Sequence, residues 1–135
     1  MAIVLDASIA VAWLLREAHR DLADEAIREG LQSECAVPEL FWLETANVLH
    51  VRRQRKLISV EDRDAALRDL RDLTIVTHTQ SGHLPRIVAL SDRHGLTTYD
   101  AAYLELAARL GWTLATLDAK LATAARAEGL DVRSP

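Results

Sequence analysis

The sequence predicts an α/β fold, a parallel sheet covered by helices, and three observations carry that prediction. Short β-prone apolar runs (Ile3-Val4-Leu5, Cys35-Ala36-Val37, Thr113-Leu114-Ala115-Thr116) recur along the chain with helical stretches between them. The first run is apolar at every position, as a strand buried on both faces must be. Glycines close several of the intervening helical stretches, and no linker, repeat or low-complexity tract divides the 135 residues. A single domain over 1–135 is the expectation, and a chain of this length can bury a core without disulfide or zinc staples.

The elements follow in order. Strand Ile3–Leu5 ends at Asp6, and Ser8 to Arg16 has helical composition. A helix from His19 to Glu29 is closed by Gly30, and Cys35–Val37 is the second strand. Pro38 opens a long helix to Lys56, because proline suits the first helical position. Ser59 and Asp62 form a capping-box pattern for a helix to Asp72. Leu73–Thr77 is read as a third strand, and Gly82–His94 as a helix stopped by Gly95. Leu96–Thr98 is read as a fourth strand leading to Asp100, and the helix Ala101–Leu110 ends at Gly111. After the strand Thr113–Thr116 come Asp118, an alanine-rich helix stopped by Gly129, and an optional edge strand over Leu130–Arg133.

Bulk properties narrow the function. Half of the residues are hydrophobic and 27% are charged, the balance of a globular domain rather than a disordered tail. The net charge of −4 argues against non-specific nucleic-acid binding over the whole surface, while leaving room for an acid-rich catalytic site. Cys35 is the lone cysteine, so no internal disulfide forms, which suits a reducing cytoplasm. The five histidines are scattered and none stands at zinc-ligand spacing. The apolar Met1–Leu15 stretch lacks a basic leader and a cleavage site, and Asp6 interrupts it, so neither a signal peptide nor a membrane span is expected.

Acids fall where ligands bind in such sheets, outside the carboxyl ends of the strands. Asp6, Asp100 and Asp118 each follow a predicted strand. Aspartate is also a favoured N-cap, and capping alone accounts for any one of the three. Glu44 cannot be a cap, because it lies well inside the long helix on a face with Leu40, Phe41, Val48 and Val51. A carboxylate in an apolar stripe is costly unless paired or bound to a cation. A salt bridge to another helix is the alternative. Asn47 shares that face, either as a hydrogen-bonding partner to the acid or as a simple buried amide.

Converging carboxylates repel one another, and a divalent cation relieves the repulsion. Oxygen-only ligands select Mg²⁺ or Mn²⁺, whose chemistry suits phosphodiester attack. Arg52-Arg53-Gln54-Arg55-Lys56 is the basic run, fitted either to an RNA backbone (Arg52, Arg53, Arg55, Lys56) or to the negative end of the long helix. The low aromatic content speaks against a base-stacking platform.

Four stretches in order resemble the PIN-domain family, particularly its VapC-type toxins. They are Val4-Leu5-Asp6-Ala7-Ser8, Pro38-Glu39-Leu40 through Glu44 to Asn47, Leu96 to Tyr103 around Asp100, and Leu114-Ala115-Thr116-Leu117-Asp118 with Leu121. The resemblance implies a five-stranded parallel sheet with helices on both faces and a Mg²⁺- or Mn²⁺-dependent endoribonuclease. It implies Asp6, Glu44 and Asp100 as the core acids, Asp118 as the fourth, and Ser8 and Thr116 as hydroxyls near the metal. A helix-start hydroxyl and a β-prone strand residue are the plainer readings of those two.

The resemblance further implies a homodimer and a cognate antitoxin that blocks the cleft. Trp42 and Leu49, on the long helix away from Glu44, and Trp13 near the N-terminus are candidate interface residues, unless other helices of the chain cover them. Two other classes stay open: a phosphatase or phosphoacceptor with Asp6 as nucleophile, which lacks a second aspartate in Asp6-Ala7-Ser8, and a non-catalytic interaction module.

Overall fold

The computed structural model describes residues 2–135. Five parallel strands form one sheet in the order β3-β2-β1-β4-β5, with β1 Ile3–Leu5, β2 Cys35–Pro38, β3 Val76–His78, β4 Thr113–Ala115 and β5 Val132–Arg133. Seven α-helices flank it on both faces: α1 Ala7–Leu15, α2 Arg20–Gln32, α3 Leu40–Gln54, α4 Val60–Arg71, α5 Leu84–His94, α6 Thr98–Leu110 and α7 Ala119–Ala127. The central strand β1 is buried along its length, as its unbroken apolar run requires. Ile3, Val4, Leu5, Phe41, Tyr103, Leu104 and Leu114 anchor one contiguous core.

From β1 the chain winds outward through β2 to β3, then returns to lay β4 on the other side of β1. The connection reverses direction between β1 and β4. In open α/β sheets the crevice at the carboxyl ends of two such strands is the usual ligand site. Asp6 and Thr116 are the residues directly after β1 and β4, and the Asp6 N–H donates to the Ala115 carbonyl at 3.0 Å.

Several boundaries differ from the sequence reading. Leu96–Thr98 is not a strand: the Thr97 hydroxyl accepts from the Asp100 N–H, and this cap starts α6 at Thr98. Local capping thus prevails over β-propensity, and Leu96 is only a buried anchor between two helices. Pro38 ends β2 instead of opening a helix, and α3 runs from Leu40 to Gln54. The β1 pairing stops at Ala36, so the missing proline N–H breaks no bond to that strand. The third strand begins at Val76 rather than Leu73.

Gly30 lies inside α2 instead of ending it, for a packing reason. A Cβ there would come within 2.8 Å of Ile3 Cγ2 and 3.0 Å of Cys35 Cβ, so glycine lets α2 press onto β1 and β2. The stretch 82–94 is a 3₁₀ turn (Ser81–His83) followed by α5. The optional edge strand is real as Val132–Arg133, and the capping box at Ser59 and Asp62 forms as expected.

Candidate metal centre

Asp6, Glu44, Asp100 and Asp118 line one open cavity of about 500 Å³ at the β1–β4 crevice. They arrive from four different elements. Asp6 is the residue between β1 and α1, Glu44 projects from α3, Asp100 sits in the first turn of α6, and Asp118 caps α7. Asp100 therefore reaches the cavity from a helix start and not, as its sequence neighbours imply, from the end of a strand.

Asp6 is only 5% exposed. Its Oδ2 accepts from the Ser8 hydroxyl and from the Thr116 hydroxyl, each at 2.7 Å. Both hydroxyls are themselves oriented: Ser8 Oγ accepts from the Leu117 N–H and Thr116 Oγ1 from the Asp118 N–H, each at 3.0 Å. Each hydroxyl accepts one backbone N–H and donates its own proton to Asp6, which fixes its rotation. The capping role that sequence alone allows for Asp6 is absent, since its side chain makes no cap hydrogen bond to α1. Asp118 does cap, through Oδ1 to the N–H groups of Lys120 and Leu121, and is exposed enough to face the cavity as well.

Glu44 is half-buried, and its Oε1 accepts from the Tyr103 hydroxyl at 2.9 Å. Tyr103 is a residue whose part in the site sequence reasoning missed. Its signal was available: it lies three residues after Asp100 on α6, hence on the same helix face. The same cavity takes in Glu17, His19 and Arg52, with Arg52 ion-paired to Glu17.

The electrostatics are those of crowded, poorly solvated acids. Burial pushes the Asp6 carboxyl up, partly offset by the Thr116 and Ser8 hydroxyls, and nearby Asp100 pushes it further. Burial also raises Glu44, against the pull of Tyr103, and Asp6 and Asp100 add to the rise. Asp100 is raised by burial and by Asp118, with Thr97 and Lys120 acting the other way. Tyr103 is held firmly neutral by burial beside Asp6 and Glu44. Among the described residues, none of the four acids forms an ion pair.

These features fit a hard divalent cation. A buried carboxylate without a cationic partner is costly, and the four acids offer only oxygen donors. The fit is to a partly hydrated ion rather than to a closed cage. Among the described residues no three His, Cys, Asp or Glu side chains stand close enough to enclose a metal ready-made. The four acids share one cavity without being drawn into a closed cage, and Mg²⁺, which keeps several waters and takes few carboxylates, suits that spacing. Thiol chemistry has no place here, because Cys35 is buried under α2 and its thiol is pushed up to about 12.

Other expected site residues fare unevenly. Asn47 is exposed rather than buried and borders a neighbouring groove with Leu40, Leu43, Glu44 and Tyr99. Of the basic run, Arg52 lines the acidic cavity, whereas Arg53 and Lys56 line a different depression beside the start of α4, and Arg55 is exposed on the surface. Leu49 is fully buried in this chain's own core, which removes it as an interface residue. Trp42 packs on the core edge, and its indole N–H donates to Thr77 Oγ1 at 2.8 Å. Trp13 is likewise partly buried against the core. Among the described residues, no helix is long and apolar enough to cross a membrane.

Comparison with known proteins agrees with this geometry. Residues 3–127 match the family model of the PIN domain. The chain is 32% identical over 124 residues to Ribonuclease VapC3 of Pyrobaculum aerophilum, covering 90% of this chain and 93% of that protein. The fold is similar to that in the crystal structure of VapBC2 from Rickettsia felis bound to a DNA fragment from their promoter, with a TM-score of 0.69, 15% identity, and 99% and 98% of the two chains covered. It is similar also to Mycobacterium tuberculosis VapC20, described as a sarcin-ricin-loop-cleaving toxin, at a TM-score of 0.66 and 15% identity over 91% and 95% of the chains. With its acids gathered at the β1–β4 crevice and its length matched almost throughout, this chain belongs to the PIN-domain family, among its VapC-type members.

Proposed function

We propose that this protein is a Mg²⁺- or Mn²⁺-dependent endoribonuclease, the toxin of a toxin–antitoxin pair. One observation carries the reading. Asp6 is a buried carboxylate with no cationic partner, held by two oriented hydroxyls and facing three further acids across an open cavity. Such an arrangement costs stability in the absence of a cation and serves no purpose as packing.

Asp6, Glu44, Asp100 and Asp118 would hold the ion. When bound, it would supply an activated water and neutralise the charge that builds on the phosphodiester. Ser8 and Thr116 fix the Asp6 carboxylate through Oδ2 at the wall of the cavity. Tyr103 fixes Glu44 through Oε1 in the same manner. Locked donors of this kind keep the carboxylates from rearranging during the reaction.

RNA is the proposed substrate because the 32%-identical relative is named a ribonuclease. A cognate antitoxin covering the cleft, a homodimer and a cytoplasmic location complete the proposal, and the VapBC2 likeness supports the first of these. The test is direct. Purified protein is incubated with single-stranded RNA in Mg²⁺ or Mn²⁺, then with EDTA. Cleavage that stops on chelation supports the proposal, and cleavage indifferent to EDTA, or none with any divalent ion, overturns it.

A further inference from the structure

The cavity that gathers the four acids is hostile to a polyanion. Arg52 is the fixed cation in its wall, and Glu17 neutralises it through a direct ion pair. The two side chains are about one-third exposed, so the pair is open to solvent and to an incoming ligand.

Glu17 is placed there by an unusual loop. Arg16 and His19 both adopt left-handed backbone, with φ of 53° and 66°, and bracket Glu17-Ala18 between α1 and α2. Non-glycine residues in that region carry a conformational cost. The loop is nevertheless tied down: the Glu17 N–H donates to the Ala12 carbonyl at 3.1 Å and the Arg20 N–H to the Glu17 carbonyl at 3.2 Å. The Glu17 carboxylate is thus presented to the cavity by a fixed turn.

Arg52 lies eight residues after Glu44 on α3, with Val48 between them on the cavity wall. At 1.5 Å per residue this puts it about 12 Å along the helix from Glu44. That offset sets the Arg52 backbone at the far end of the cavity wall from Glu44, on the side where a phosphate next to the one undergoing attack would lie. Guanidinium groups bind phosphate and carboxylate by the same forked hydrogen bonding, so the two anions compete for one site.

Building on the ribonuclease reading, we propose that Arg52 binds a phosphate flanking the scissile one, and that Glu17 acts as a resident competitor that must release Arg52 before RNA can seat. Arg52 is then a substrate-binding residue and Glu17 a brake acting through it. The rest of the basic run takes no part, since Arg53 and Lys56 face another depression.

A double-mutant cycle tests this, with KM and kcat measured on a single-stranded RNA oligonucleotide at several salt concentrations. Arg52→Ala raises KM about tenfold and lowers the slope of log KM against log salt by about 0.7, the signature of one lost phosphate contact on a single strand. Arg52→Lys recovers part of the loss. Glu17→Gln lowers KM by about threefold or more, and that gain disappears in the Arg52→Ala background. A purely structural ion pair would shift the melting temperature and leave the salt slope alone. Wild-type cleavage with KM unmoved by Arg52→Ala, or a Glu17→Gln gain that persists without Arg52, overturns the inference. Absence of wild-type cleavage instead defeats the ribonuclease reading beneath it.

Discussion

Replacing Asp6 by asparagine separates a metal ligand from a structural carboxylate, because the two roles predict opposite changes in stability. In the metal-free protein the Asp6 carboxylate gains two charge-assisted hydrogen bonds from Ser8 and Thr116, each worth about 1.5–3 kcal/mol. Against these stands the desolvation of a buried ion, several kcal/mol, with no cation to offset it. Burial and, to a smaller extent, the nearby Asp100 carboxylate together outweigh the Thr116 and Ser8 hydroxyls and raise the Asp6 carboxyl. Asparagine keeps the shape, still accepts a hydroxyl proton, and carries no charge. Asp6→Asn is therefore expected to stabilise the metal-free fold at neutral pH by about 1–2 kcal/mol. For a domain of 135 residues, about 1 kcal/mol corresponds to roughly 3–4 °C in Tm.

The order reverses in metal. At a Mn²⁺ concentration one hundred times its Kd, wild type gains about 2.7 kcal/mol, and the asparagine variant gains little. Differential scanning calorimetry in EDTA and in Mn²⁺ reads both arms, with RNA cleavage lost in the variant. A variant that melts below wild type in EDTA, or gains as much from Mn²⁺, would refute the reasoning.

Further predictions concern neighbouring features. Tyr103→Phe removes the donor that pulls the Glu44 carboxyl down, so the acidic limb of the cleavage pH profile moves to higher pH, at a stability cost of about 1 kcal/mol; an unmoved profile would disconnect Tyr103 from the site. The raised carboxyls of Asp6, Glu44 and Asp100 cost nothing below their unfolded values near about pH 4. Metal-free stability should therefore fall as pH rises through their folded values, and urea titrations across that range will show whether it does. Glu128, lowered by His94 and Arg93, acts in the opposite sense: its contribution is present above its unfolded value and lost as pH falls through the folded one. Gly30→Ala forces a Cβ onto Ile3 and Cys35 and is expected to cost about 1–3 kcal/mol by denaturant titration. A neutral result there would argue against the close seating of α2 on the sheet.

Much of this was legible in the sequence because the informative signals are local. The all-apolar Ile3–Leu5 run marked the central strand. Glu44 declared itself by standing in mid-helix among apolar residues, where no capping role exists. What failed depended on through-space partners. Thr97 looks like a strand residue until its hydroxyl is seen to cap α6. Gly30 looks like a helix stop until Ile3 is placed against it. Asn47 shares a helical period with Glu44, yet α3 turns it outward to solvent. The basic run reads as a unit in one dimension, while the helix end splits it between two surfaces. Spacing puts Tyr103 on the helix face of Asp100, but its partner Glu44, like the Glu17 partner of Arg52, comes from an element distant along the chain and cannot be deduced from spacing.

The central claim is that the crevice between β1 and β4 holds a divalent cation. Crystals grown with Mn²⁺ and measured at a wavelength where manganese scatters anomalously locate that ion without assumption. The account predicts an anomalous peak against the Asp6 carboxylate, within reach of the Glu44, Asp100 and Asp118 carboxylates and lost in Asp6→Asn crystals. An empty crevice at saturating Mn²⁺, or a peak confined to another part of the surface, would contradict it.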